Sequence, residues 1–161
     1  MDLSRPTLRW LATALPIAFA LHVAEEAPTF VQWFNSHVEP DITWRNFVTV
    51  TAVGFGITVM VAVQLAVAPG RANGLIAVAW VGCVMFANAT FHIVAAIVDG
   101  GYAPGVATAT LLYLPVSLLL FGAVRAQCAI PAAAVAAVAL VAGIPMYWHG
   151  WLIVFDGGRL F

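Results

Sequence analysis

Four apolar runs, each close to the length of a membrane-spanning helix, most constrain what this chain can fold into. A helix needs about 20 apolar residues to cross the hydrocarbon core of a bilayer. The chain has 161 residues, of which 63% are hydrophobic and 8% charged, whereas a soluble domain carries about 25% charged residues. The runs therefore predict an all-α fold, a polytopic transmembrane helical bundle that forms a single domain over residues 1–161.

Together with a shorter apolar segment near the N-terminus, the runs predict about five transmembrane helices separated by turns rich in proline and glycine. A signal peptide is the alternative for the first segment, because Ala18–Ala20 resembles a cleavage site. The one long connection, Pro28–Asn46, is aromatic and is expected to lie at the membrane interface as a short helix or re-entrant cap. The predicted spans are Leu8–Glu26, Phe47–Ala68, Leu75–Val98, Val106–Val124 and Ala132–Phe155.

Arginine placement predicts an orientation with the N-terminus inside and the C-terminus outside, since inner segments hold the larger share of cations. The inner arginines are Arg5, Arg9, Arg71 and Arg125, and the outer ones are Arg45 and Arg159. The net charge of −1 offers no basic surface to nucleic acid. The lysine-free, Ala- and Val-rich composition is typical of a bacterial inner membrane. Small residues in the last span indicate close helix contact, within one chain or in a homo-oligomer.

Three histidines on three different spans are predicted to reach the same depth in the membrane. With a rise of 1.5 Å per residue, His22 lies roughly 21 Å from the inner face. His92 and His149 each lie roughly 25 Å from that face, within a core about 30 Å thick. Polar residues share a helix face with each of them: Glu25 and Glu26 with His22, Asn88 and Asp99 with His92, and Asp156 with His149. The faces are expected to meet in one pocket near the outer side.

The two adjacent glutamates break the local rules for a helix end. Pro28 disfavours helix at the preceding residue, so the first helix is expected to end near Glu26. Both carboxylates then lie in its last turn, at the negative end of the helix dipole. Unpaired carboxylates in lipid cost several kcal/mol. A bound cation, or a proton shared with a histidine, would remove this penalty.

Imidazole and carboxylate ligands together favour a divalent metal, zinc or iron. The candidate ligands are His22, Glu25, Glu26, His92 and His149, and a glutamate that is not a ligand would act as general base on water. Asn88 and Asp99 are candidates to support the ligands. A haem held by His22 and His92 is a variant of this hypothesis. The plainer alternatives are an interfacial helix end for the glutamates, interhelical packing for His92 and Tyr113, an aromatic belt for His149 and a turn cap for Asp99.

Three motifs along the chain resemble those of the HXXEE-domain family of small membrane proteins. "HVAEE" (His22–Glu26) resembles the signature, "NATFH" (Asn88–His92) contains the later histidine and "YAPG" (Tyr102–Gly105) matches a Y-x-P-G motif. The resemblance implies a site built from His22, Glu25, Glu26 and His92, with Tyr102 near it. It implies no substrate.

The leading functional hypothesis is a membrane enzyme that acts on a lipophilic small molecule by metal-dependent or acid–base catalysis, with Glu25, Glu26 and Tyr102 as catalytic candidates. Hydrolysis, isomerisation and cyclisation all remain open. A proton- or cation-coupled transporter subunit is the second hypothesis. A non-catalytic accessory protein, in which the polar residues join helices, is the third.

Overall fold

The computed structural model describes residues 7–160, and within them the chain is helical with no β-strand. Short turns join most of the helices, and an irregular segment of eight residues connects the second to the third. We number the helices along the chain: α1 (Leu8–Glu26), α2 (Phe30–Asn35), α3 (Trp44–Val67), α4 (Arg71–Asp99), α5 (Val106–Gln127) and α6 (Ala132–Asp156). Arg5, which contributed to the predicted orientation, lies outside the described residues.

Four helices of the described chain, α3 to α6, are long and apolar enough to cross a membrane. Their bounds agree with the predicted spans to within about a turn, which confirms the helical-bundle class. The remaining predicted span, Leu8–Glu26, corresponds to α1, whose 19 residues include Arg9, Glu25 and Glu26. As predicted, this helix ends at Glu26, two residues before Pro28.

Each of the last three helices contains a π-helical segment: Gly82–Ala87 in α4, Ala109–Tyr113 in α5 and Leu152–Asp156 in α6. A π-turn inserts one residue and rotates everything beyond it around the helix axis, and such turns are frequent at functional sites. Two of these segments lie directly beside polar residues of interest. Asn88 follows the first, and Tyr113 ends the second.

The long aromatic connection folds into α2 and covers one end of the bundle. Phe34 and Val38 are buried there against α4 and α6 residues, including Phe91 and Ile153. The third helix begins at Trp44, a turn earlier than predicted. The reason is a capping box, in which the Thr43 side chain accepts from the Asn46 backbone and the Asn46 side chain accepts from the Thr43 backbone.

Small residues bring α4 and α6 into close contact, as the composition of the last span indicated. A Cβ atom on Gly82 would lie 2.7 Å from the Ala139 Cα and 2.8 Å from its carbonyl oxygen. Two further glycines of α6, Gly143 and Gly150, face α4 at Ala87 and Phe91. The backbones therefore approach as closely as glycine allows, which is the usual way that helices pack in lipid.

We expect Gly82→Ala to lower the free energy of unfolding by about 2 kcal/mol, because the new methyl group meets backbone that cannot rotate away. Gly56→Ala is the matched control, since Gly56 also lies within a helix but a Cβ there meets nothing within 4 Å. Alanine there is expected to be neutral or to stabilise by up to about 1 kcal/mol. Thermal unfolding of both variants in the same detergent measures the two effects. Equal changes in stability would contradict the close α4–α6 contact.

Candidate metal centre

His22, Glu26 and His92 converge on one buried point at the end of the bundle. They come from the last turn of α1 and from the second half of α4, and their side chains are almost fully buried. The Glu26 Oε1 atom lies 3.4 Å from the Nε2 atom of His22 and 3.2 Å from the Nε2 atom of His92. One ligand atom from each residue lies within 4.8 Å of the other two. Among the described residues, they form the one such group of three or more.

The geometry of the cluster is closer to that of a set of metal ligands than to that of a hydrogen-bonded group. Both Nε2 atoms are buried and within ion-pair distance of Glu26, but neither makes a hydrogen bond of regular geometry. Two ligands at 2.0–2.1 Å from a tetrahedral zinc ion lie roughly 3.3 Å apart, which is close to both nitrogen–oxygen separations. The residue types and these two separations therefore fit a divalent transition metal. Three protein ligands would leave one coordination position open.

Gly105, the last residue of the "YAPG" motif, packs directly against the cluster. A Cβ atom there would lie 2.7 Å from the His22 Cε1, 2.9 Å from the His92 Cε1 and 3.1 Å from the Glu26 Cγ. Its φ of +90° is in the region that favours glycine. The two imidazole rings are 4.8 Å apart and edge-on. Gly105 therefore fills the space beside both rings, and the haem variant stays a prediction.

Glu25 points away from the cluster and binds the first turn of α5. Its Oε2 atom accepts from the Thr108 backbone N–H at 2.7 Å, and its Oε1 atom accepts from the Ala107 backbone N–H at 3.0 Å. The Thr108 hydroxyl donates to the same Oε2 atom. A carboxylate at a helix N-terminus satisfies free N–H groups and faces the positive end of the dipole. This contact compensates the charge of Glu25 without a metal.

Tyr102, the first residue of the "YAPG" motif, completes the surroundings of Glu25. Its hydroxyl donates to the Glu25 Oε1 atom at 2.5 Å, while the side chain is largely exposed. The hydrogen bond to the Glu25 carboxylate, and secondarily burial, raises the pKa of Tyr102 to about 12. Tyr102 is therefore a protonated donor at neutral pH. It lies near the site, as the resemblance implied, and it contacts Glu25 rather than the histidines.

Two residues that contact His22, namely Thr108 and Tyr113, were not predicted from the sequence to belong to the site. Thr108 lies 2.8 Å from the Nδ1 atom of His22, on the side of the ring away from Glu26. Tyr113, interpreted from the sequence as packing, lies against the His22 ring, with centroids 4.2 Å apart and ring planes tilted by 32°. Its position at the end of the π-segment of α5 turns it toward the cluster. No sequence pattern signals such a segment, so neither contact was predictable.

A cavity of about 410 Å³ adjoins the cluster and extends between α3 and α6. His22, Glu26 and Tyr113 line one part of it. The rest is mainly apolar and aromatic, with contributions from Phe19, Phe47, Val50, Ile57 and Trp80. The size and the few converging polar groups are typical of a small-molecule site.

The remaining candidates lie around the cavity or beyond it. His149 lines the cavity, but its Nδ1 atom accepts from the Leu160 backbone N–H at 3.1 Å and its ring faces Phe34. Asn88 also lines the cavity, and its side-chain oxygen is buried without a hydrogen-bond partner.

Asp99, the other supporting candidate, lies at the end of α4 rather than beside the cluster. Its carboxylate accepts from the Trp33 indole at 3.0 Å and lies 3.2 Å from the His37 Nε2 atom. The structure thus gives Asp99 contacts with α2 and its flank, and these contacts tie α2 to the bundle.

The fold and the site define a class: a helical bundle with four membrane-length helices and a buried histidine–glutamate cluster. Residues 13–120 match the family model described as protein of unknown function with HXXEE motif, so the chain belongs to the HXXEE family. The resemblance drawn from the motifs is confirmed. No curated protein and no solved structure matches the chain.

Proposed function

We propose that this protein is a membrane-embedded enzyme that holds zinc or iron between His22, Glu26 and His92 and acts on a lipophilic molecule in the adjoining cavity. The observation that carries the proposal is the convergence of three buried ligand atoms, two of them imidazole nitrogens that make no hydrogen bond of regular geometry. Burying this carboxylate beside two imidazoles is costly unless a cation or proton compensates it.

The number of ligands favours catalysis over a structural role. Structural zinc sites are closed by four protein ligands, whereas catalytic sites have three and an open position. Here the ligand set has three members and Glu26 and His22 also line the cavity. A metal there would supply Lewis-acid polarisation of a substrate oxygen or activation of water.

The chain's own residues would bind and orient the substrate. Apolar side chains from α3 and α4 would hold its hydrocarbon part and exclude water, which strengthens electrostatic interactions at the cluster. Tyr113, buried against His22, is placed to fix that ring. Glu25 is fully engaged by donors from α5 and Tyr102, so we assign the ligand role to Glu26 and not to Glu25.

The proposal includes the predicted orientation. With α1 as a fifth span and the N-terminus inside, the end of the bundle that carries α2 and the "YAPG" loop faces the outer side of a bacterial inner membrane. A lipophilic substrate would then reach the cavity from the bilayer, between α3 and α6.

Elemental analysis of the purified protein tests the metal site. We expect zinc or iron near one equivalent in the wild type and less than a tenth of that in His22→Ala, Glu26→Gln and His92→Ala. His37→Ala is the matched control, because it removes a histidine outside the cluster and is expected to retain the metal.

A folded wild-type protein that takes up no metal, even after it is added back, would overturn the proposal. Glu26 and the histidines would then be proton carriers, as a transporter subunit requires. Enzyme and transporter are also separable directly. An enzyme turns over a lipophilic substrate in detergent, whereas a transporter requires sealed vesicles to produce a flux.

A further inference from the structure

Thr108 links the outer nitrogen of His22 to the carboxylate of Glu25. The Thr108 Oγ1 atom lies 2.8 Å from the His22 Nδ1 atom, and the same hydroxyl is hydrogen-bonded to the Glu25 Oε2 atom. The link joins the last turn of α1 to the first turn of α5. The link is separate from the cluster, because it contacts the Nδ1 edge of the His22 ring, whereas Glu26 lies at the Nε2 atom.

The number of available protons fixes the direction of each hydrogen bond. Glu25 accepts from the Tyr102 hydroxyl and from the backbone N–H groups of Ala107 and Thr108. Both carboxylate oxygens of Glu25 accept from backbone N–H groups, so the carboxylate is the acceptor toward the Thr108 hydroxyl as well. The Thr108 hydroxyl has one proton and donates it to the Glu25 Oε2 atom. Its oxygen is therefore the acceptor toward His22, and the proton between them belongs to the His22 Nδ1 atom.

We propose that Glu25 and Thr108 are positioning residues that hold His22 as its Nδ1–H tautomer, so that the lone pair of Nε2 points at Glu26 and the metal. The role of this tautomer in metal binding rests on the proposed function, whereas the presence of the tautomer does not. The carboxylate acts through a hydroxyl here, whereas metal-binding histidines commonly contact such a carboxylate directly.

The inference gives the two adjacent glutamates of the motif different tasks. Glu26 shares the buried point with both imidazoles, and Glu25 orients one of them from behind. Donors reach Glu25 from both of its sides, from Thr108 and from Tyr102. The hydrogen bonds from both sides therefore end at Glu25 as the acceptor. They do not form a continuous proton path from the surface to His22.

Nitrogen-15 NMR of metal-free protein labelled at its four histidines tests the tautomer without any metal. The His22 signals are assigned by their loss in His22→Asn. We expect the Nδ1 atom of His22 to carry the proton in the wild type and in Thr108→Ser. In Thr108→Val the hydroxyl is lost, and we expect the Nε2–H tautomer, which can donate to Glu26, to become the major form.

Zinc affinity supplies the second readout. We expect the dissociation constant to rise 10- to 100-fold in Thr108→Val, as for other supporting residues of metal sites, and to recover in Thr108→Ser. Thr110→Val is the matched control, because the Thr110 hydroxyl bonds only the Val106 carbonyl of its own helix; it is expected to change neither readout.

The outcomes separate the two proposals. A wild-type His22 protonated at Nε2, or an unchanged tautomer in Thr108→Val, would overturn the positioning role whatever the metal does. A wild type that shows the Nδ1–H tautomer but binds neither zinc nor iron would overturn the proposed function alone.

Discussion

Gly105→Ala is expected to abolish binding of the proposed metal and to destabilise the protein by at least about 3 kcal/mol. Two effects add. Alanine at positive φ costs about 1–2 kcal/mol, and its methyl group would lie 2.7 Å from the His22 ring and 2.9 Å from the His92 ring. Relief of both contacts requires that the two rings move away from Gly105 and from each other. A cluster opened in this way no longer presents three ligands to one ion.

Gly100→Ala separates the two effects. Gly100 also has a positive φ, +63°, but a Cβ there meets nothing within 4 Å. It should therefore show the conformational cost alone, about 1–2 kcal/mol, with normal metal content. Elemental analysis and thermal unfolding of both variants provide the comparison. Retention of metal in Gly105→Ala would show that the loop does not pack on the cluster as described.

Composition and hydropathy were sufficient to predict the four long apolar helices. The apolar runs define α3 to α6 because only helices this long satisfy their backbone within a bilayer. The depth estimate from the helical rise brought His22 and His92 to one level, and the structure brings their rings together. A distance along a helix axis depends only on the number of residues, so it could be read from the sequence.

Rotation about the helix axes could not be predicted in the same way. Glu25 and Glu26 differ by one residue, hence by about 100° around α1, and this difference directs one to α5 and the other to His92. Which glutamate faces which neighbour depends on how α1 is rotated in the bundle. The π-segment before Tyr113 adds a further rotation with no sequence signature. Thr108 contacts His22 only because Gly105 turns the chain into α5 at that point.

His149 illustrates the same limit. His149 lines the cavity. The Leu160 backbone N–H occupies its Nδ1 atom, and a backbone contact from an irregular segment has no residue pattern to reveal it. The prediction of His149 as a ligand therefore stays a prediction, and His149→Ala tests it in the same elemental analysis.

Removing the metal is expected to lower the free energy of unfolding by about 4 kcal/mol relative to protein in zinc at a thousandfold its dissociation constant. For a chain of this length the midpoint of thermal unfolding should fall by roughly 8–16 °C. The cause is linkage: the folded bundle alone brings ligands from α1 and α4 together, so the ion binds the folded state and not the unfolded one. Zinc titration after treatment with a chelator measures the shift.

Two comparisons show whether the shift arises at the cluster. Glu26→Gln replaces the charged ligand by an amide of the same shape, and its unfolding midpoint should not respond to zinc. Magnesium should leave the wild type unchanged, because Mg²⁺ prefers oxygen ligands and two of the three here are imidazoles. A shift of equal size in Glu26→Gln would assign the zinc effect to another part of the chain. A shift with magnesium would indicate a general effect of divalent cations on the detergent-bound protein.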